Sequence, residues 1–131
     1  MKALTIRQPW AWAIVHAGKD IENRSWNTRL RGTIAVHAGF NYEKAAELPR
    51  GVRIPPEDEI IRGAIIGTVD VIDVVDRHRS KWFEGPFGFV LQNPRPLAKP
   101  VPCPGKLSFW EVPAKVERLV IRRLSTATRR I

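Results

Sequence analysis

Leu4 to Trp26, LTIRQPWAWAIVHAGKDIENRSW, decides how the remaining sequence is read. Ala3 to Ile6 predicts a short strand. Pro9 suits the first position of a helix, where its missing N–H costs nothing. Gly18 suits the helix end, because glycine tolerates the left-handed backbone that terminates helices. Between them PWAWAIVHA is almost wholly apolar, which predicts a helix buried against a sheet. The chain then runs into Lys19, Asp20, Glu22 and Arg24. Lys19 to Trp26 alternates like a strand, with Asp20, Glu22, Arg24 and Trp26 on one side. Residues three apart point to opposite faces of a strand, so Lys19 and Glu22 converge only if Lys19 still belongs to the turn that Gly18 opens.

Further along, Asn27 to Gly32 predicts a loop and Thr33 to Ala38, TIAVHA, a buried strand ending at His37. Asn41 suits the N-cap of a short helix over Tyr42 to Leu48, stopped by Pro49. Pro55 and Pro56 open a helical turn towards Arg62, with Gly63 as its stop. The longest β signal is Ala64 to Val75, AIIGTVDVIDVV, where Gly67 marks a bulge or bend. Arg77 to Gly85 reads as a loop or short helix, Phe87 to Leu91 as a strand, and PRPLAKPVPCPGK as an extended connection. Ser108 to Val112 and Glu117 to Ile121 read as closing strands. About six strands and two or three short helices predict an α+β, mainly β fold, a small closed or nearly closed barrel. No repeat or linker divides the chain, so residues 1–131 are expected to form one domain.

The composition, 44% apolar and 27% charged, is that of an ordinary globular domain. No apolar run approaches the roughly 20 residues that span a bilayer, and no signal-peptide hydrophobic segment opens the chain. A cytoplasmic location without a membrane partner is the expectation. Cys103, between two prolines, is the single cysteine, so no intrachain disulfide forms. Twenty-two Lys and Arg against thirteen Asp and Glu leave a net charge of +9. Such a surface attracts polyanions, nucleic acid foremost, or serves solubility alone. The residues from about 122 to 131 lack apolar periodicity and are expected to form a flexible basic tail.

Phosphate-cradling, nucleophile-elbow and dinucleotide motifs are absent. His16, His37 and His78 lack metal-ligand spacing, so neither metal nor cofactor is expected. His16 reads as a half-buried helix residue, and His37, at a strand end, as a pocket candidate. The charges at 19–24 fit surface pairs on a sheet edge. They also fit a site, since Trp10, Trp12 and Trp26 flank them, and aromatic faces beside Lys and Arg hold unstacked bases. Tryptophans fill small cores as well, so both readings stand on the residues alone.

The segment quoted first, with its Gly18-Lys19-x-x-Glu22-x-Arg24 signature, resembles the ASCH domain family, relatives of the PUA domains. The resemblance continues through TIAVHA and GAIIGTVDVIDVV to WFEGPFGFVLQNPRPLAKPVPCPGKLSFWEV, about residues 3 to 112 in order. It implies a PUA-like β-barrel with helices around a central cleft. Some small members are amidohydrolases that remove the acyl group from N4-acylated cytidine, while others are RNA-binding or ribonucleolytic. In the amidohydrolases a Lys, a Thr three residues on and a more distant Glu form the catalytic set. Lys19 matches that Lys, and Glu22 stands where the Thr would be, the usual form of the wider signature. Glu84 in WFEGP is the candidate distal carboxylate, ahead of Asp73 and Asp76.

The expectation is therefore metal-independent hydrolysis of an N4-acylated cytosine nucleoside. Amide hydrolysis needs an activated nucleophile, a donor for the oxyanion and a proton for the leaving amine. A desolvated Lys19 serves as base or nucleophile, and Glu22 orients it or relays protons. Gln8 and Arg24 are candidates for substrate hydrogen bonds, Asn93 for reading the base edge, and Trp10 or Trp26 for stacking. The alternative is a non-catalytic RNA-binding module, whose affinity would fall steeply with salt. A third reading, a single-strand ribonuclease, lacks paired histidines or a convincing carboxylate pair.

Overall fold

Strict alternation along two adjacent strands sorts the apolar side chains onto the two faces of one sheet. In this computed structural model the described residues are 1–128, with side chains to 124. The strands are β1 (Lys2–Gln8), β2 (Ile21–Arg24), β3 (Gly32–Tyr42), β4 (Ala64–Val75), β5 (Phe87–Pro102) and β6 (Phe109–Glu111). They lie in the order β2-β5-β4-β3-β1-β6, with β1 and β3 parallel and every other pair antiparallel. Leu4, Ile6, Ile34, Val36 and Ala38 pack with α1 (Trp10–His16) through Ala11, Ile14 and Val15. Ala3 and Ala35 instead pack with Val120 of α2 (Ala114–Thr128), beside Val116, Leu119 and Leu124. A one-residue slip would exchange these sets, so the register is fixed by burial on both sides.

The first helix forms as its sequence demands. The Ala13 N–H donates to the Pro9 carbonyl at 2.9 Å, so Pro9 is the N-cap and the helix starts at Trp10, one place later than expected; Gly18 follows its end at φ +73°. β4 occupies the predicted Ala64–Val75, and its pairing shifts at Gly67 against both neighbours.

The mainly β, α+β class holds, but the sheet does not close into a barrel. Trp26, two residues past the edge strand β2, reaches the other edge strand β6. Trp26 sets its ring edge-on to Phe109 at 5.6 Å and to Phe89 at 5.2 Å. Arg24 Nη2 donates to the Thr5 carbonyl of β1 at 3.0 Å. A seam between β2 and β1 therefore stays open to solvent above this staple.

Several expected elements differ. No helix forms over Tyr42 to Leu48, and Asn41 caps nothing, because β3 runs past His37 to Tyr42 and the Glu43 N–H donates to the Gln8 carbonyl of β1 at 2.8 Å. The turn after Pro56 is a single 3₁₀ turn, Glu57–Glu59. The proline-rich connection is strand to Pro102, since Pro94, Pro96, Pro100 and Pro102 lie where β4 is the sole neighbour and a missing N–H is tolerated. Glu117 to Ile121 is helix, not strand: Val116, Val120 and Leu124 recur every four residues. Residues 122 to 128 continue α2 instead of starting a tail, and 129–131 of that predicted tail lie outside the described residues. His16 is exposed at the helix end. No helix among the described residues is long and apolar enough to cross a membrane.

Candidate functional site

Gly18 places Lys19 in the turn between α1 and β2, and the Lys19 N–H donates to the Ala13 carbonyl at 3.1 Å. From this turn the side chain doubles back along β2. Its Nζ donates to the Ile21 carbonyl and, at 3.0 Å, to Glu22 Oε1. The other oxygen of Glu22 accepts from Arg24 Nε at 3.0 Å, since residues two apart share a strand face. Lys19 and Glu22 are only 5% and 6% exposed. Buried charges are tolerated when paired and hydrogen-bonded, and here two cations share one carboxylate. The group is compensated yet net positive. Above it the Trp10 ring stands 5.8 Å from Lys19 Nζ, held by an indole N–H bond to the Glu43 carboxylate.

This triad forms the wall between two chambers of one cleft. The lysine chamber, about 590 Å³, is lined by Lys19, Lys81, Trp82 and Glu84. The arginine chamber, about 740 Å³, is lined by Arg7, Arg24, His37, Phe40 and the Gly105–Ser108 loop. Trp10, Glu22, Asn23 and Glu43 border both. Asn23 fixes the wall of the first chamber: its Nδ2 donates to the Trp82 carbonyl at 2.9 Å, and its Oδ1 accepts from the N–H groups of Glu84 and Gly85 at 2.9 and 3.0 Å.

On the other side of the wall lies a neutral relay. Trp110 Nε1 donates to Thr5 Oγ1 at 3.0 Å, and Thr5 Oγ1 meets His37 Nδ1 at 3.1 Å. His37 Nε2 meets the Cys103 carbonyl at 2.7 Å. A carbonyl only accepts, so Nε2 carries the proton and Nδ1 accepts from the threonine hydroxyl. Burial lowers the His37 ring below its ordinary value, while the Cys103 carbonyl opposes this.

The expected site residues divide accordingly. Lys19, Glu22, Trp10, Arg24, His37 and the exposed Glu84 all line the cleft. Gln8 does not, because its amide is used at both ends, donating to the Ile61 carbonyl at 2.8 Å and accepting from the Trp12 N–H at 2.9 Å. Trp26 is half-buried and packs against the apolar core. Asn93 lies elsewhere on the sheet, at φ +54°, with its amide on Asp70 at 2.9 Å. The runners-up Asp73 and Asp76 pair with Arg31 and Arg77 away from both chambers. Glu43, Asn23 and Thr5 are site residues that sequence reasoning missed. Nothing in their local pattern marks them, since their partners lie on distant segments. No group of three or more His, Cys, Asp or Glu side chains able to hold a metal lies among the described residues.

Comparison with known proteins bears on the family and the fold. The family model described as the ASCH domain matches residues 4–101. Activating signal cointegrator 1 of Homo sapiens and of Mus musculus are each 26% identical to this chain, over 88% of its length and 23% of theirs. The chain thus spans about a quarter of the length of these curated relatives. The crystal structure of ASCH from Zymomonas mobilis aligns with a TM-score of 0.51 and 16% identity, covering 92% of this chain and 93% of that one. That likeness is one of fold.

Proposed function

The chain belongs to the ASCH domain family, which its model matches over most of the chain, and from that premise we propose that the cleft hydrolyses N4-acylated cytosine. One observation carries this reading: a buried lysine that borders a cleft, bonded at 3.0 Å to a carboxylate and faced by a tryptophan. In the reaction water attacks the acyl carbon, the bond from that carbon to N4 breaks, and N4 gains a proton. The pyrimidine ring lies against Trp10. Lys19 passes a proton to Glu22, and the free amine takes one from the attacking water. The renewed ammonium faces the oxyanion, and Glu22 delivers its proton to the leaving N4, so the pair returns to its starting state. Arg24, bonded to Glu22 and to Thr5, holds the carboxylate still. Glu84, whose backbone is pinned by Asn23, orients the acyl end.

The test is turnover of N4-acetylcytidine to cytidine, followed by absorbance with EDTA present. Lys19→Ala and Glu22→Ala, with folding intact, are expected to lower the rate by about 10²–10⁴-fold each, the usual worth of a positioned acid or base. No turnover at high enzyme concentration, with longer acyl groups also tried, overturns the hydrolase. A second reading, an RNA-binding module, is favoured by the +9 charge and by exposed Arg7, Arg50, Lys81 and Lys106 around the cleft. It expects RNA binding whose log K falls linearly with the logarithm of salt concentration, with no turnover.

A further inference from the structure

The two chambers differ in charge, and that difference bears on what the substrate carries. The lysine chamber sets three cations (Lys19, Arg50, Lys81) against four carboxylates, its own Glu47 and Glu84 and the shared Glu22 and Glu43. The arginine chamber sets Arg7, Arg24 and Lys106 against Glu22 and Glu43 alone. Both of those carboxylates are already engaged, Glu22 by Lys19 and Arg24, Glu43 by the Trp10 indole. Among the described residues neither Arg7 nor Lys106 has a carboxylate within ion-pair distance. The backbone next to Lys106 lies close against the relay. A Cβ added at the adjoining Gly105 would lie 2.5 Å from Thr5 Oγ1 and 2.8 Å from His37 Nδ1, so this loop rests directly on the buried relay. Beside the two free cations, Phe40 is 73% exposed on the chamber wall.

We propose that the arginine chamber is a phosphate subsite, with Arg7 and Lys106 as its ligands, so that the cytosine acted on belongs to a nucleotide and not to a free nucleoside. This rests on the hydrolase reading for what fills the lysine chamber. Guanidinium and ammonium groups bind phosphate oxygens through charge-assisted hydrogen bonds. The phosphate is either the monoester of a mononucleotide or the diester of an RNA strand, whose neighbouring base would meet the exposed face of Phe40.

The experiment compares N4-acetylcytidine, its 5′-monophosphate and a trinucleotide with N4-acetylcytidine at its centre, all on the full chain. A phosphorylated substrate is expected to exceed the nucleoside about 10-fold or more in kcat/KM. That ratio should fall towards one in Arg7→Gln/Lys106→Gln, with folding checked by circular dichroism. A gain with the monophosphate identifies the monoester, and a gain confined to the trinucleotide identifies the diester. A ratio near one for both, with the nucleoside still hydrolysed, overturns the subsite and leaves the hydrolase standing. If nothing is hydrolysed, binding of cytidine, cytidine 5′-monophosphate and the unmodified trinucleotide is read by tryptophan fluorescence. Tighter binding of a phosphorylated ligand, lost in the double variant, supports the subsite although the hydrolase has failed. Equal affinities overturn the subsite.

Discussion

Two buried polar clusters border the arginine chamber, joined where Arg24 donates to the Thr5 carbonyl, and they are built on opposite principles. Lys19, Glu22 and Arg24 bury charge, whereas Thr5, His37 and Trp110 bury only neutral donors and acceptors. Both are complete, with no buried side-chain nitrogen or oxygen among the described residues lacking a partner. A neutral relay is an inexpensive way to fill a strand interface. A charged one is not, because replacing a buried ion pair by apolar residues is often neutral or stabilising. A fold that needed only stability at the β2 edge has simpler solutions than the triad, so the triad is the better candidate for chemistry and the relay for architecture.

Breaking the triad at its centre is expected to have the largest effect. Glu22→Ala leaves Lys19 buried with one carbonyl partner, and urea unfolding is expected to show a loss of about 3–5 kcal/mol. The double variant Lys19→Met/Glu22→Leu sharpens the contrast. It should recover most of that stability in the same assay while turnover stays absent, whereas continued instability would mean that the ion pair itself holds the fold. On the other side, Thr5→Val removes the hydroxyl between Trp110 and His37. A loss of about 1–3 kcal/mol is expected, with kcat changed little, and a collapse of kcat would place the relay within the chemistry.

The smallest effect is one of pH. His37 is held below its ordinary 6.5 by burial, so the unfolded chain binds more protons there than the folded one as pH falls under that value. The stability it contributes is therefore present above about 6.5 and is lost as pH drops through its lowered folded value. Thermal unfolding between pH 7.5 and 5 should become less pH-dependent in His37→Gln, and an unchanged slope would assign the dependence to other groups.

Much of this was readable from local pattern. The Gly18 stop, the return of Lys19 onto Glu22 and the whole extent of β4 follow from glycine chemistry and period-two alternation. What escaped was set by distant partners. Gln8 and Trp26 have the composition of binding residues, but Ile61 holds Gln8 in the interior and Phe109 packs Trp26 against the core. Glu117 to Ile121 reads as strand because Val120 and Ile121 are β-branched, yet Val116, Val120 and Leu124 recur at helical spacing and the face under β5 needed a helix. Glu43 could be placed only once β3 was known to run past His37 and deliver it beside Trp10.

The position of β1 also bears on how the molecule assembles. It lies between β3 and β6, pairing Lys2 with Ile34 on one side and with Glu111 on the other. The opening strand of the described chain thus completes its ladder only when segments from both the first third and the far end have arrived. Contacts so widely separated in sequence slow folding, because loop-closure entropy is lost before they form. During synthesis β1 and the apolar α1 behind it therefore wait, β1 with its second edge unpaired, and α1 reaches its full packing only as β4 and β5 emerge.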